Sequence, residues 1–262
     1  MVKILEINEL NYGKIKNMTF SFEKGLFYTA VGSNNSGKTT LFRILSGFIP
    51  TKNMIICDKL YLNNNRFSYI KKVGVVKRVD RKSFLFQNVY DELFFPLKNI
   101  GYSKKDLMII IKKTLHLFNI DDILNMPINK LSMLEKQKLL FALALLHSPK
   151  VLLIDDALAF LKPKEQVEIF NILNNLKSKG LTIIYFSINL NSYLYADRMI
   201  IISDYKIIKE MKREDLFENE KLLIDNNIEL PFICDLSNKL RIYNLIDKNY
   251  LNMKELVNDI WP

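Results

Sequence analysis

The stretch VGSNNSGKTTLFRIL, from Val31 to Leu45, limits this chain to very few folds. Gly32, Gly37, Lys38 and Thr39 fall at the spacing of a phosphate-binding loop, G-x-x-x-x-G-K-[ST]. An apolar strand, Leu26 to Val31, runs into the loop, and an amphipathic helix leaves it. Such a turn aims consecutive backbone N–H groups at one point, where the positive end of the helix dipole adds to them. Gly32 and Gly37 allow dihedrals and close approach that a Cβ obstructs. Ser33, Asn34, Asn35 and Ser36 form the body of the loop, and Thr40 follows it. Lys38 is placed to reach the β- and γ-phosphates of a nucleotide, and the Thr39 hydroxyl to ligate magnesium. The expected ligands are therefore a nucleoside triphosphate and Mg²⁺.

Composition narrows the setting. With 262 residues the chain is long enough to bury a sizeable core. Its strongest apolar run, LLFALALL, stops at His147-Ser148-Pro149, far short of the roughly 20 residues that span a bilayer. The opening MVKILEINEL alternates charged and apolar residues and does not read as a signal peptide. Cys57 and Cys234 are far apart, with no CxxC, and are expected to be buried thiols in a reducing compartment. The net charge of +10 is spread along the chain and interleaved with acids. Nucleic acid is therefore not an expected partner, although the charge suits a surface lying against anionic lipid headgroups.

Residues 2–30 alternate as strands and read as an antiparallel edge feeding the loop strand. Residues 54–76 give short strand-like runs, and Asn88 to Leu146 is helical. KVLLIDD is an apolar strand closing on two acids; EQVEIFNILNNLKS is a helix ending at Gly180; LTIIYFS is a buried strand. MIIISDYKII reads as a hairpin, and from Leu222 the pattern is helical and more polar. Strand–helix–strand alternation predicts an α/β fold on a parallel sheet with right-handed crossovers. A phosphate-binding loop also needs an acid at a neighbouring strand end to hold Mg²⁺. VLLIDD supplies Asp155 for that, with Asp156 beyond it to polarise the attacking water.

The order of these motifs resembles the nucleotide-binding subunit of an ABC ATPase, over nearly the whole chain. LSMLEKQK (Leu131, Ser132, Met133, Leu134, Glu135 onward) sits where that family has its LSGGQ signature, and Tyr12-Gly13 where it stacks an aromatic on adenine. NVYDELFFPLKNI and the tail ELPFICDLSNKL…NYLNMKELVNDI are similar to ATPase subunits of energy-coupling factor importers. The resemblance implies a P-loop NTPase fold of the ABC-ATPase type. It comprises a RecA-like mixed sheet, an antiparallel β edge, a helical subdomain at about 88–148, and an ATPase domain over 1–220. The tail, 221–262, would be a small dimerisation domain. Implied partners are a second ATPase subunit, a transmembrane T-component and a substrate-binding S-component. The implied location is the cytoplasmic face of the membrane, and the implied work is uptake of a vitamin, metal or other micronutrient.

The chain departs from that family at five places. Arg78 occupies the Q-loop glutamine position, counting without gaps. Met133 and Leu134 replace the signature glycines, followed by Glu135; Asp156 stands for the Walker B glutamate, Lys162 for the D-loop aspartate, and Ile188 for the switch histidine. Asp156 keeps a carboxylate on a shorter arm, and a displacement near 1 Å can cost about a hundredfold in rate. Ile188 has no group to order water. An ABC dimer builds each ATP site from one subunit's loop and the other's signature, so the departures imply a heterodimer and slow hydrolysis by this subunit alone. A second reading is a catalytically weak, ATP-occupied regulatory or structural half. A third, an ABC protein acting on nucleic acid, is disfavoured by the single P-loop and the short spacing from Lys38 to Leu131.

Overall fold

The computed structural model describes residues 2–52, 54–62 and 66–260. Its centre is a six-stranded sheet in the order β10-β9-β3-β8-β7-β6. The strands are β3 (Phe27–Val31), β6 (Val73–Lys77), β7 (Val151–Asp155), β8 (Thr182–Ser187), β9 (Arg198–Ser203) and β10 (Lys206–Met211). All neighbours pair in parallel except β9 and β10, which form the antiparallel hairpin expected from MIIISDYKII. Side chains alternate between the two faces, as a strand's period of two requires. Phe27, Val31, Leu152, Ile154, Ile183, Tyr185 and Ile201 enter one apolar core; Tyr28, Ala30, Leu153, Ile184, Phe186 and Ile200 enter the other.

The second core lies beneath helix α1 (Lys38–Leu45) and a separate antiparallel sheet. That sheet has the order β2-β1-β4-β5, formed by β1 (Lys3–Tyr12), β2 (Ile15–Glu23), β4 (Ile55–Cys57) and β5 (Leu60–Tyr61). The early alternating strands are therefore the antiparallel element, but they stand as a sheet of their own, joined to the loop strand by the Glu23 N–H, which donates to the Tyr28 hydroxyl at 2.9 Å. A helix, α2 (Arg66–Lys72), occupies part of the region read as strand-like; its Tyr69 is fully buried and donates to the Leu45 carbonyl at 2.7 Å. Tertiary anchoring of one aromatic has overridden a local preference that was weak in either direction.

The first core is covered by α3 (Val89–Lys98), α4 (Lys104–Leu117), α5 (Met133–Leu145) and α6 (Pro163–Ser178). Ser103 caps α4 and Ser132 caps α5, each accepting a backbone N–H of the first turn. Gly180, at φ +96, follows α6 in the left-handed conformation its position requires. The tail forms α7 (Glu220–Asp225), α8 (Phe232–Ile242) and α9 (Met253–Ile260). Ile233, Cys234, Ile246, Tyr250 and Leu256 of the tail join the same core as the sheet and α6. The Tyr193 hydroxyl donates to the Leu251 carbonyl across that seam. Both cysteines are buried free thiols, and burial pushes Cys57 up to about 12 and Cys234 up to about 11. Among the described residues, no helix is long and apolar enough to cross a membrane.

Candidate functional site

Four parallel strands end at one level. Val31 of β3 is in register with Ser187 of β8, Phe186 of β8 with Asp155 of β7, and Asp155 with Lys77 of β6. The residues just past these ends line a cavity of about 420 Å³. Asn34 to Thr40 come from the loop after β3, Lys77, Arg78 and Asp80 from β6 and its exit, Asp155 and Asp156 from β7, and Ser187 and Ile188 from β8. This is the carboxyl edge of a parallel sheet, where loops of successive strands converge.

Two glycines make the loop possible. A Cβ at Gly32 would lie 2.2 Å from the Ile202 carbonyl oxygen, and one at Gly37 2.9 Å from the Tyr205 ring; Gly37 also sits at φ +105. Gly37 precedes α1 without any side-chain cap, and the first turn of α1 carries no acid. The N–H groups of that turn are thereby left to an external acceptor. The Lys38 ammonium donates to the carbonyls of Gly32 (2.6 Å) and Ser33 (2.8 Å) and to the Ser36 hydroxyl (3.3 Å). Burial lowers its pKa, and the charges of Asp155 and Asp156 oppose that shift.

The two aspartates differ. Burial raises the pKa of Asp155, as does the charge of Asp156, while Lys77 and Lys38 counteract. Burial also raises Asp156, eased by a hydrogen bond from Ser187 and by the charges of Arg78 and Lys38. Asp156 adopts φ +46, a left-handed conformation that aspartate tolerates, while its N–H still donates to Phe186 at 2.9 Å. Cations lower the cost of keeping such carboxylates ionised, and a divalent ion is the strongest of these. Among the described residues no cluster of three His, Cys, Asp or Glu side chains is placed to hold a metal. Thr39 and Asp155, both on the cavity, suit Mg²⁺ because that ion is commonly held by one or two protein oxygens, phosphate and water.

Some residues singled out in the sequence lie outside this cavity. Tyr12 ends β1, half exposed, and is not among the residues lining this cavity. The turn after it approaches the rim, where the Lys14 ammonium lies 5.4 Å from the centre of the Tyr205 ring. Tyr205 lines the cavity beside Gly37, and its N–H donates to the Ser36 carbonyl at 2.8 Å. Sequence reasoning missed Tyr205 because it belongs to a hairpin distant in sequence from the loop. It also missed Ser187, whose hydroxyl is shared between Asp156 (3.5 Å) and Asn189 (3.3 Å). The segment Leu131–Glu135 lies outside the cavity, at the start of α5, where Met133 is 53% exposed. Lys162 caps the start of α6, and its N–H donates to Glu165 at 2.8 Å.

Comparison with known proteins decides the family: residues 15–159 match the profile described as ABC transporter. The chain belongs to the ABC transporter family. It is 31% identical to the energy-coupling factor transporter ATP-binding protein EcfA1 of Oenococcus oeni, over 99% of this chain and 98% of that protein. Identity is 29% to the EcfA1 protein of Mesomycoplasma hyopneumoniae strain J, over 100% of this chain and 97% of that one. Among solved structures, cbiO1 of Clostridium perfringens, part of the ABC transporter complex cbiONQ, superposes with a TM-score of 0.76 at 23% identity. It covers 86% of this chain and 94% of its own. An ATP-binding cassette of an ABC transporter in its ADP conformation gives 0.73 at 19% identity, over 86% of this chain and 98% of its own. These two likenesses establish the P-loop ABC-ATPase fold.

Proposed function

We propose that this chain is the ATP-binding subunit of an energy-coupling factor type importer, in which ATP binding and hydrolysis drive uptake of a vitamin, metal or other micronutrient. The observation that carries the reading is the uncapped loop around Lys38 in one cavity with Asp155, in a chain that matches energy-coupling factor ATPases from end to end. The backbone of Asn34 to Thr40 receives the phosphates, Lys38 neutralises them, and Thr39 and Asp155 hold Mg²⁺. When bound, that ion supplies charge neutralisation at the transferring phosphoryl group. Adenine stacks on Tyr12 at the rim that Lys14 and Tyr205 share.

Hydrolysis is slow in the isolated subunit. Asp156 is the candidate base on a short arm, and Ile188, beside it on the cavity, offers neither donor nor acceptor. The second partner of the site is another ATPase chain, giving a heterodimer that docks a T-component and an S-component at the cytoplasmic face of the membrane. The tail contributes to pairing in part only. Of its apolar positions, Ile233 and Leu256 are buried and Leu230, Leu236 and Leu240 pack on the core. Phe232 and Val257 remain exposed, together with Ile242, Tyr243 and Leu245. Removing the tail would therefore strip the main core, and surface variants test pairing more cleanly.

The deciding experiment is purification from detergent-solubilised membranes of the source cell. A second ATPase and an integral membrane protein should co-purify in fixed ratio. Recovery of this chain alone, or with ribosomes, would reject the transport reading.

A further inference from the structure

The opposite edge of the main sheet carries a second cavity. Lys150 precedes β7, Leu181 precedes β8, and Val151 is in register with Thr182 beside them. Both Lys150 and Leu181 line this cleft, so it lies where the strands start, whereas the nucleotide cavity lies where they end. Its volume is about 460 Å³, against about 420 Å³ for the nucleotide cavity, a size that suits a small molecule. Three helices bring apolar side chains to it. Leu117 and Leu145 are the last residues of α4 and α5, and Leu176 lies in the last turn of α6. Each packs on the main core yet is only half-buried, which leaves apolar surface on the cleft for a ligand to cover.

The rim has one sign of charge. Lys113, Lys150 and Lys179 line the cleft, and among the described residues no Asp or Glu does. All three lysines are exposed, and among the described residues no ion pair engages their ammonium groups. The charge of Lys150 also reaches Asp58, beyond β4. Lys179 is the C-cap of α6, where a helix end favours a cation. That accounts for one lysine and not for three around an apolar floor. Such a floor under a cationic rim complements an anionic amphiphile. The apolar body covers the leucines, and the anionic group accepts from the ammonium groups. A cavity of this size takes one alkyl chain and not the two of a phospholipid.

We propose that this cleft is a second ligand site, which binds a single-chain anionic amphiphile such as a medium-chain carboxylate, its chain on the leucines of α4, α5 and α6 and its carboxylate on the lysine rim. The site is separate from the nucleotide cavity but shares elements with it. β7 runs from Lys150 at the cleft to Asp155 at the nucleotide. α5 ends at the cleft, and near its start the Gln137 amide donates to the Lys77 carbonyl at 3.0 Å and accepts from the Val79 N–H at 3.2 Å. The test therefore reads binding itself and not turnover.

Calorimetric titration of the full chain with decanoate, kept below its micellar concentration, provides that measurement. Decanoate should bind at one site per chain. Decanol, which lacks the charge, should bind about tenfold more weakly or worse, and decyltrimethylammonium should not bind. Hexanoate should lose about fourfold in affinity for each missing methylene. Lys113→Glu combined with Lys179→Glu should weaken decanoate about tenfold or more. The same change of charge at Lys16 and Lys206, which lie outside the cleft, should leave its affinity unaltered. All four lysines are exposed, so an unchanged melting temperature in both double variants serves as the folding control. Decanoate that binds no better than decanol, or binds both double variants alike, overturns the proposal. Phosphatidylglycerol vesicles should co-sediment equally with the two double variants. A loss confined to the cleft variant would assign the lysines to a bilayer surface, and the single-chain ligand would be rejected.

Discussion

Helices α1 and α5 both begin beside a motif of this family, yet they begin in opposite ways. Gly37 enters α1 with no side chain to cap it and no acid in the first turn. Ser132 enters α5 in a closed capping box: its hydroxyl accepts from the Glu135 N–H at 3.2 Å, and the Glu135 carboxylate accepts from the Ser132 N–H at 2.7 Å. One helix end is therefore unfinished until an anion arrives. The other is complete within its own chain and carries a negative charge at its positive pole. Sequence departures at the signature therefore leave a well-formed helix. They change what that helix start offers a phosphate, because two of its donors are engaged and an acid sits beside them.

The sharpest way to break this contrast is at Lys38. Lys38→Ala should lower ATP affinity about a hundredfold, because a buried cation with several polar contacts is lost, while Glu135→Gln should leave binding to the isolated chain unaltered. Titration with a fluorescent ATP analogue measures both; a Lys38→Ala protein that binds like wild type removes the contrast altogether.

Next in size is turnover. Asp156→Glu and Ile188→His together, assayed with a partner ATPase whose signature is intact, should raise kcat by about ten- to a hundredfold. The double variant should exceed the sum of the single gains, since groups acting as a unit are strongly non-additive. The interrupted half of the site acts in the transition state, so kcat should move more than KM. Rapid hydrolysis by the unmodified chain alone would show that the departures are silent.

A smaller effect belongs to Asp155. Its carboxyl pKa is raised by burial and by Asp156, so its ionisation costs stability in the free protein. That contribution to stability is fully present below the ordinary aspartate value and is lost as pH rises through the raised one. Asp155→Asn should accordingly raise the Tm of the free protein by about 2–4 °C near neutral pH, the shift of roughly 1 kcal/mol in a chain of this size. It should also abolish the Mg²⁺ dependence of nucleotide-induced stabilisation. Thermal scans with and without MgATP across pH decide it, and a Tm that falls would reverse the sign.

Smallest is the capping box. Glu135→Gln should lower Tm by about 1–3 °C, the scale of a weakened helix start. Hydrogen bonds from Ser132 hold the Glu135 carboxyl below its ordinary pKa. Its stabilisation is therefore present above the ordinary glutamate value and fades as pH falls through the depressed one, and the variant should lose that part of the acid dependence.

The halves of this contrast were not equally legible in the sequence. The loop, its strand and its helix follow from local chemistry: two glycines where no Cβ fits, and a lysine at fixed spacing. Asp155 was legible because an apolar strand ended on it. Tyr205 and Ser187 were not, since they reach the cavity through sheet order, a property of the assembled strands. Arg78 was legible as a departure, but its support by Phe160 required the turn after β7 to lie beside the exit of β6. The early alternating segments gave strand identity without saying which sheet they join, because pairing partners lie outside any local window.

Gln137 joins parts that the chain keeps far apart. By grasping the backbone before and after Arg78, it makes the root of α5 and the exit of β6 a single lever. Glu92 ties the next stretch to α3 in the same manner, accepting from the N–H groups of Leu85 and Phe86 at 2.8 Å each. The segment from Lys77 to Phe86 is thus tethered at both ends to the helical layer. A displacement of that layer would therefore reach the rim of the cavity through these four hydrogen bonds.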